Sequence, residues 1–195
     1  MARPRTFDES EVLERAVALF LSRGYERASM PELTAHLGIC RQSLYNAFGD
    51  KRGLYLAALD RYGSREVDAK LSQLTAAPSP LAAVRTFVTS LAACASQCPT
   101  DGCLTITAIV DSAGDEEART IVEGHVDRLE KGLKTALKRA QQEFKLTPDA
   151  QPTRLARSLI TTYYGIGVLA KLPGSALRIK AAAAEALERL DSITA

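Results

Sequence analysis

The sequence predicts an all-α protein, and three observations lead there. Apolar residues recur along the chain at the spacing of a buried helix face. No stretch sustains the alternation of a half-buried strand, and successive periodic segments open on Asp or Ser and close on Gly. About nine helices account for the 195 residues: short ones first, then a larger group of longer ones.

The first helix opens at Asp8, with Glu11 completing a capping-box pattern and Phe7 and Val12 placed as a hydrophobic staple. Leu13, Ala16, Val17 and Phe20 form its apolar stripe, and Gly24 stops it. The second is short: Ser29 caps it, Pro31 lies in its first turn, Glu32 makes a second box, Leu33 and Leu37 face inward, and Gly38 ends it. The third begins at Cys40 or Arg41 and ends at Gly49, with Leu44 and Phe48 one turn apart. Asp50 caps a long fourth helix that runs to about Ser72. The segment Ala76-Ala77-Pro78-Ser79-Pro80 is the clearest break. Beyond it the pattern predicts helices at about 81–97, 104–112, 115–144, 153–171 and 176–192. Residues 1–50 are expected to form one domain, 51–75 a connecting helix and 76–195 a second domain.

Composition sets bounds. A hydrophobic share of 46% supports a core of useful size, while 25 basic against 23 acidic residues leave a net charge of only +2. Any nucleic-acid footprint must therefore be local. The run from Leu155 to Leu172 comes nearest to a membrane span, but Arg157, Thr161, Thr162 and Lys171 interrupt it. Met1 to Arg5 is too short and too charged for a secretory signal, so a soluble, cytoplasmic protein with reduced thiols and no membrane partner is expected.

The functional signal lies in Leu37 to Tyr55, "LGICRQSLYNAFGDKRGLY". Three short helices with a tight Gly turn between the second and third make a helix-turn-helix unit, whose second helix enters a DNA major groove. With Leu44 and Phe48 inward, a 100° wheel turns Gln42 and Asn46 outward, Ser43 beside them, and Arg41 and Tyr45 to the flanks. Amide side chains suit adenine edges, Arg41 suits guanine or phosphate, and a good bidentate pair is worth roughly 1–3 kcal/mol of discrimination. Lys51, at a helix N-terminus, is suited to a phosphate, as are Ser29 and a basic arm carrying Arg3 and Arg5.

The stretch "GYERASMPELTAHLGICRQSLYNAFGDKRGLYLAAL" resembles the N-terminal domain of TetR/AcrR-type transcriptional regulators. The Gly-Tyr pair, the Ser-capped second helix, the Gly turn, and Tyr45, Phe48 and Lys51 carry the likeness, which covers roughly residues 7–60. Cys40 departs from the common Ser or Thr, which weakens the helix cap, and Gln42 from a frequent small residue. The resemblance implies a homodimer that binds a double-stranded DNA operator, represses a promoter, and is released by a small-molecule inducer in its C-terminal domain.

Two helical seams independently suggest dimerisation: Leu155, Leu159, Thr162, Ile166 and Leu169, then Ile179, Ala183, Ala186, Leu190 and Ile193. Leu177, Ala181, Ala184 and Leu187 broaden the second stripe. Such a dimer would set its reading helices about 34–36 Å apart or somewhat more. Candidate inducer contacts are Phe87, Leu91, Ile106 and Val110, with Val122, His125, Tyr163 and Tyr164 from later helices. Cys94, Cys98 and Cys103 offer an alternative thiol- or metal-responsive repressor, although their spacing matches no standard zinc pattern. No cofactor is expected. Nor is an enzyme, since no Walker loop, H-E-x-x-H or G-x-S-x-G motif occurs and the only histidines are His36 and His125. A helical protein-interaction module is the remaining alternative class.

Overall fold

The computed structural model describes residues 7–97, 102–111 and 114–194. Arg3, Arg5 and Cys98 lie outside the described residues, as does the side chain of Cys94. The described residues form nine helices: α1 (Glu9–Arg23), α2 (Met30–Leu37), α3 (Arg41–Phe48), α4 (Lys51–Ala76), α5 (Pro80–Gln97), α6 (Leu104–Asp111), α7 (Glu116–Gln142), α8 (Pro152–Leu169) and α9 (Ala176–Asp191). The fourth runs a turn beyond its expected end at Ser72, up to the Pro-rich break.

The N-cap side of each expected capping box forms, while the Glu11 carboxylate turns to Arg15 at 2.6 Å. Asp8 accepts from the Ser10 and Glu11 amides at 2.8 and 3.4 Å. The Ser29 hydroxyl accepts from the Glu32 amide at 3.3 Å, and the Glu32 carboxylate turns to Arg23 at 3.1 Å. Asp50 accepts from the Gly53 amide at 2.7 Å. Each such cap is worth about 0.5–2 kcal/mol. Cys40, Gln151 and Ser175 occupy the N-caps of α3, α8 and α9 without a side-chain capping bond.

Two compact units emerge, Met1–Arg65 with Cys103–Val122, and Glu66–Gly102 with Glu123–Ala195. They cut across the linear division expected from the Pro-rich break. In the first unit α6 packs on α1, and the first turn of α7 is tied to α4 by Arg52, which meets Asp115 at 2.9 Å and Glu117 at 2.6 Å. Its core includes Phe20, Leu33, Leu37, Leu44, Leu54 and Leu59, all nearly or wholly inaccessible. Burial of each such side chain contributes roughly 1.5–3 kcal/mol before ordering costs.

In the second unit α9 packs chiefly on α5 and less extensively on α8. This corrects the expected dimer seams. Leu155, Leu159, Ile166, Ile179, Ala183 and Leu190 are buried by their own chain, and Thr162, Leu169 and Ala186 are half-buried. The four-three stripes are the inward faces of α8 and α9, because one apolar stripe per helix is what a single-chain bundle needs. Exposed apolar residues are Val168 on α8, Leu172 in the connection to α9 and Leu177 on α9, and Gly165, Ala181 and Ala184 are also exposed on these helices.

One close approach fixes the start of α4. A Cβ on Gly53 would sit 1.9 Å from the Phe48 carbonyl oxygen. Replacing Gly53 with Ala therefore forces backbone to move and should cost on the order of 1–3 kcal/mol. At Gly124, within α7, an added Cβ meets nothing within 4 Å, and Gly124→Ala should stabilise by up to about 1 kcal/mol. Urea unfolding of both variants checks the pair; a Gly53→Ala protein as stable as its parent would contradict the packing.

Candidate nucleic-acid interface

The turn between α2 and α3 is made by Gly38 in the left-handed conformation, with φ 68° and ψ 24°. An L side chain there costs roughly 1–2 kcal/mol. Its amide closes α2 on the Thr34 carbonyl at 3.1 Å, and Ile39 then turns inward at 9% exposure. Leu44 is wholly buried and Phe48 half-buried. Their anchoring leaves Arg41, Gln42 and Asn46 exposed, with Ser43 and Tyr45 half-buried on the flanks.

These outward side chains are paired with one another along the helix. The Gln42 amide nitrogen donates to the Asn46 carbonyl oxygen at 2.9 Å. Arg41 donates to the Tyr45 hydroxyl through Nε at 3.3 Å and Nη2 at 2.9 Å, its guanidinium 5.3 Å from the ring centroid. Two parallel i, i+4 pairs therefore form an amide strip beside a cationic strip. At the helix start the exposed Cys40 sulfur lies 3.2 Å from the Ser43 hydroxyl. That hydrogen bond holds the thiol below its usual pKa.

Lys51 stands at the first position of α4, half-buried. Its ammonium donates to the Glu26 carbonyl at 3.2 Å and sits 4.4 Å over the Tyr25 ring. Tyr25 is itself packed, 4.8 Å from Tyr55 and 6.3 Å from Phe20, while Phe20 and Tyr55 meet edge to face at 5.2 Å. Aromatic pairs of this kind contribute about 0.5–1.5 kcal/mol beyond their burial. The cluster thus supplies a rigid platform for the cation nearest the N-terminus of α4. The sequence reading singled out Lys51 but missed the platform, although the Gly24-Tyr25 pair marked its place. It also missed Arg52, whose two carboxylate partners hold it firmly protonated, while its hydrogen bonds keep the Asp115 carboxyl below the ordinary carboxylate range. Ser29 is exposed at the start of α2, where it serves as the cap.

The other expected sites fare differently. Phe87, Leu91, His125, Tyr163 and Tyr164 belong to the second unit, whereas Ile106, Val110 and Val122 belong to the first. Val110 is 60% exposed near the end of α6, so it does not face an apolar interior. Phe87, Tyr163 and Tyr164 do form one aromatic run, with centroids 5.7 and 4.9 Å apart. Cys103 is half-buried, and among the described residues no group of three His, Cys, Asp or Glu is placed to hold a metal ion.

Comparison with known proteins agrees with this geometry. Residues 12–58 match the family model described as bacterial regulatory proteins, tetR family, and residues 80–186 match that of the tetracyclin repressor-like C-terminal domain. Over 183 residues the chain is 31% identical to the uncharacterized HTH-type transcriptional regulator YezE of Bacillus subtilis (strain 168), covering 92% of this chain and 94% of that one. It is 30% identical over 174 residues to the HTH-type transcriptional repressor ComR of Escherichia coli (strain K12), covering 87% and 82%. Among solved structures, a cysteine-mutant form of the TetR family transcriptional regulator CifR, complexed with 26 bp double-strand operator DNA, aligns with a TM-score of 0.77. Its identity is 31%, over 95% of this chain and 98% of that one.

The aromatic platform makes a pH-dependent prediction. Burial, then the negative charges of Asp111 and Asp115, push the Tyr55 phenol up from 10.0 to about 12. The fold favours the neutral phenol, so this stabilisation is whole below pH 10 and is lost as pH rises toward 12. The stability advantage of the parent over Tyr55→Phe should shrink across that window by roughly 2–3 kcal/mol. Urea unfolding at stepped pH measures it; a constant difference would mean that the phenol is not desolvated.

Proposed function

The chain belongs to the tetR family of bacterial regulatory proteins, and from that membership we propose that it is a homodimeric repressor that leaves its operator when a small organic ligand binds. It is a transcriptional regulator with an N-terminal helix-turn-helix DNA-binding domain. The observation that carries the reading is the orientation of α3: Leu44 locked in the core, Gln42 and Asn46 turned to solvent. Gln42 and Asn46 read base edges, Arg41 and Tyr45 address the flanking backbone, and Lys51 on its Tyr25 platform meets a phosphate. A phosphate at the start of α4 also meets the positive end of the helix.

Dimerisation uses the outward faces of α8 and α9 and the connection between them. Val168 at 39%, Leu172 at 56% and Leu177 at 81% exposure are costly to leave in water. Gly165, Ala181 and Ala184 between them permit close helix approach. The inducer occupies the tetracyclin repressor-like domain, with the aromatic run of Phe87, Tyr163 and Tyr164 as one wall. That domain match supports a small-molecule ligand. Release follows if the ligand favours a dimer whose two reading heads no longer fit the operator spacing.

Two measurements test these roles. In gel-shift titrations on operator and random DNA, Gln42→Ala should lower the preference for operator by about 1–3 kcal/mol. Lys51→Ala should weaken both DNAs alike and reduce the salt slope by about one. Equal loss of preference from both variants would contradict the assignment. In sedimentation, Val168→Glu with Leu177→Glu should convert a dimer to a monomer of unchanged helicity; a persistent dimer places the interface elsewhere.

A further inference from the structure

The second unit carries a groove of about 320 Å³ between the C-terminal part of α4 and the middle of α7. Leu71, Leu74 and Ala136 form its apolar floor, and Arg128, Lys131 and Arg139 stand along its α7 side. The cations are exposed, whereas Leu74 and Ala136 are buried and Leu71 half-buried. Gly132 lies between floor and rim. A Cβ there would fall 2.2 Å from Leu71 Cδ2 and 3.8 Å from Leu74 Cδ1, so only a residue without a side chain leaves this floor as it is.

The charges on the rim are unbalanced. Asp68 engages Arg128 at 2.5 Å, and Glu130 on α7 is engaged by Arg157 at 3.3 Å. Lys131 and Arg139 remain at the groove, on a stretch where Lys131, Lys134, Lys138, Arg139 and Lys145 face Glu143 as the one acid between residues 131 and 145. A small inorganic anion would leave the Leu floor wet, and a neutral hydrocarbon would bring nothing to the two cations. A molecule joining an alkyl chain to one anionic head serves both.

We propose that this groove binds a medium-chain carboxylate, its chain on Leu71, Leu74 and Ala136 and its head between Lys131 and Arg139. The volume lies at the lower end of the roughly 300–1,000 Å³ of ligand sites, which suits a single chain. The site is separate from the Phe87–Tyr163–Tyr164 wall. Leu71 and Leu74 of its floor come from α4, and Ala136 comes from α7.

The test is calorimetric titration of the full-length protein with decanoate, beside decanol and butyrate. Saturable decanoate binding is expected, at least tenfold tighter than either control. It should weaken at least tenfold in Lys131→Glu/Arg139→Glu, and likewise in Thr135→Phe, which fills the groove from an exposed position. Circular dichroism verifies that both variants keep the parental helicity. No saturable decanoate binding overturns the proposal, as does binding equal to that of decanol. Unchanged decanoate affinity in the variants places the ligand elsewhere and overturns it too. None of these outcomes depends on DNA binding.

Discussion

The wholly buried Leu44 is the contact on which the remainder depends. A two-turn helix has no stability of its own in water, so α3 exists because its apolar side is packed. Once Leu44 is fixed, the 100° step between residues leaves no freedom in what α3 shows to solvent: Gln42 and Asn46 must point out. The left-handed turn at Gly38 sets the direction from which α3 leaves α2, and the close approach of Gly53 to the Phe48 carbonyl sets where α4 resumes. The reading face is thus held at both ends by backbone geometry and in the middle by burial.

Pairing along that face has a physical consequence for recognition. Gln42 with Asn46 and Arg41 with Tyr45 already satisfy part of each other's hydrogen-bonding capacity. Their side chains lie along the helix, so less rotamer entropy is lost when a duplex docks. Lys51 is held in the same manner: its ammonium rests on Tyr25, which is fixed by Phe20 and Tyr55. These pairings preorganise the outward face of α3 and the start of α4, in a chain of net charge only +2.

The compact units group the chain by packing, and they do not coincide with the Pro-rich break between α4 and α5. Breaks in a helical pattern mark where the chain turns, whereas units are defined by what packs. Arg52 ties the first turn of α4 to Asp115 and Glu117, sixty residues and more away, and α6 lies on α1. The segment Cys103–Val122 therefore belongs with the DNA-reading head.

The sequence by itself determined the helices, the N-caps at Asp8, Ser29 and Asp50, and which side chains α3 turns to solvent. Each of these is governed by residues within four positions of one another, as with Ser29 and Glu32, Asp50 and Gly53, or Leu44 and Gln42. It did not determine which apolar stripe faces which neighbour. Leu155, Leu159, Ile179 and Leu190 have the spacing of a helix seam whether the partner is a second chain or α5 of the same one. Val110 has the composition of a pocket wall and is exposed. Periodicity states that a face will be covered, and only tertiary packing decides by what, because an apolar surface carries no directional information about its partner.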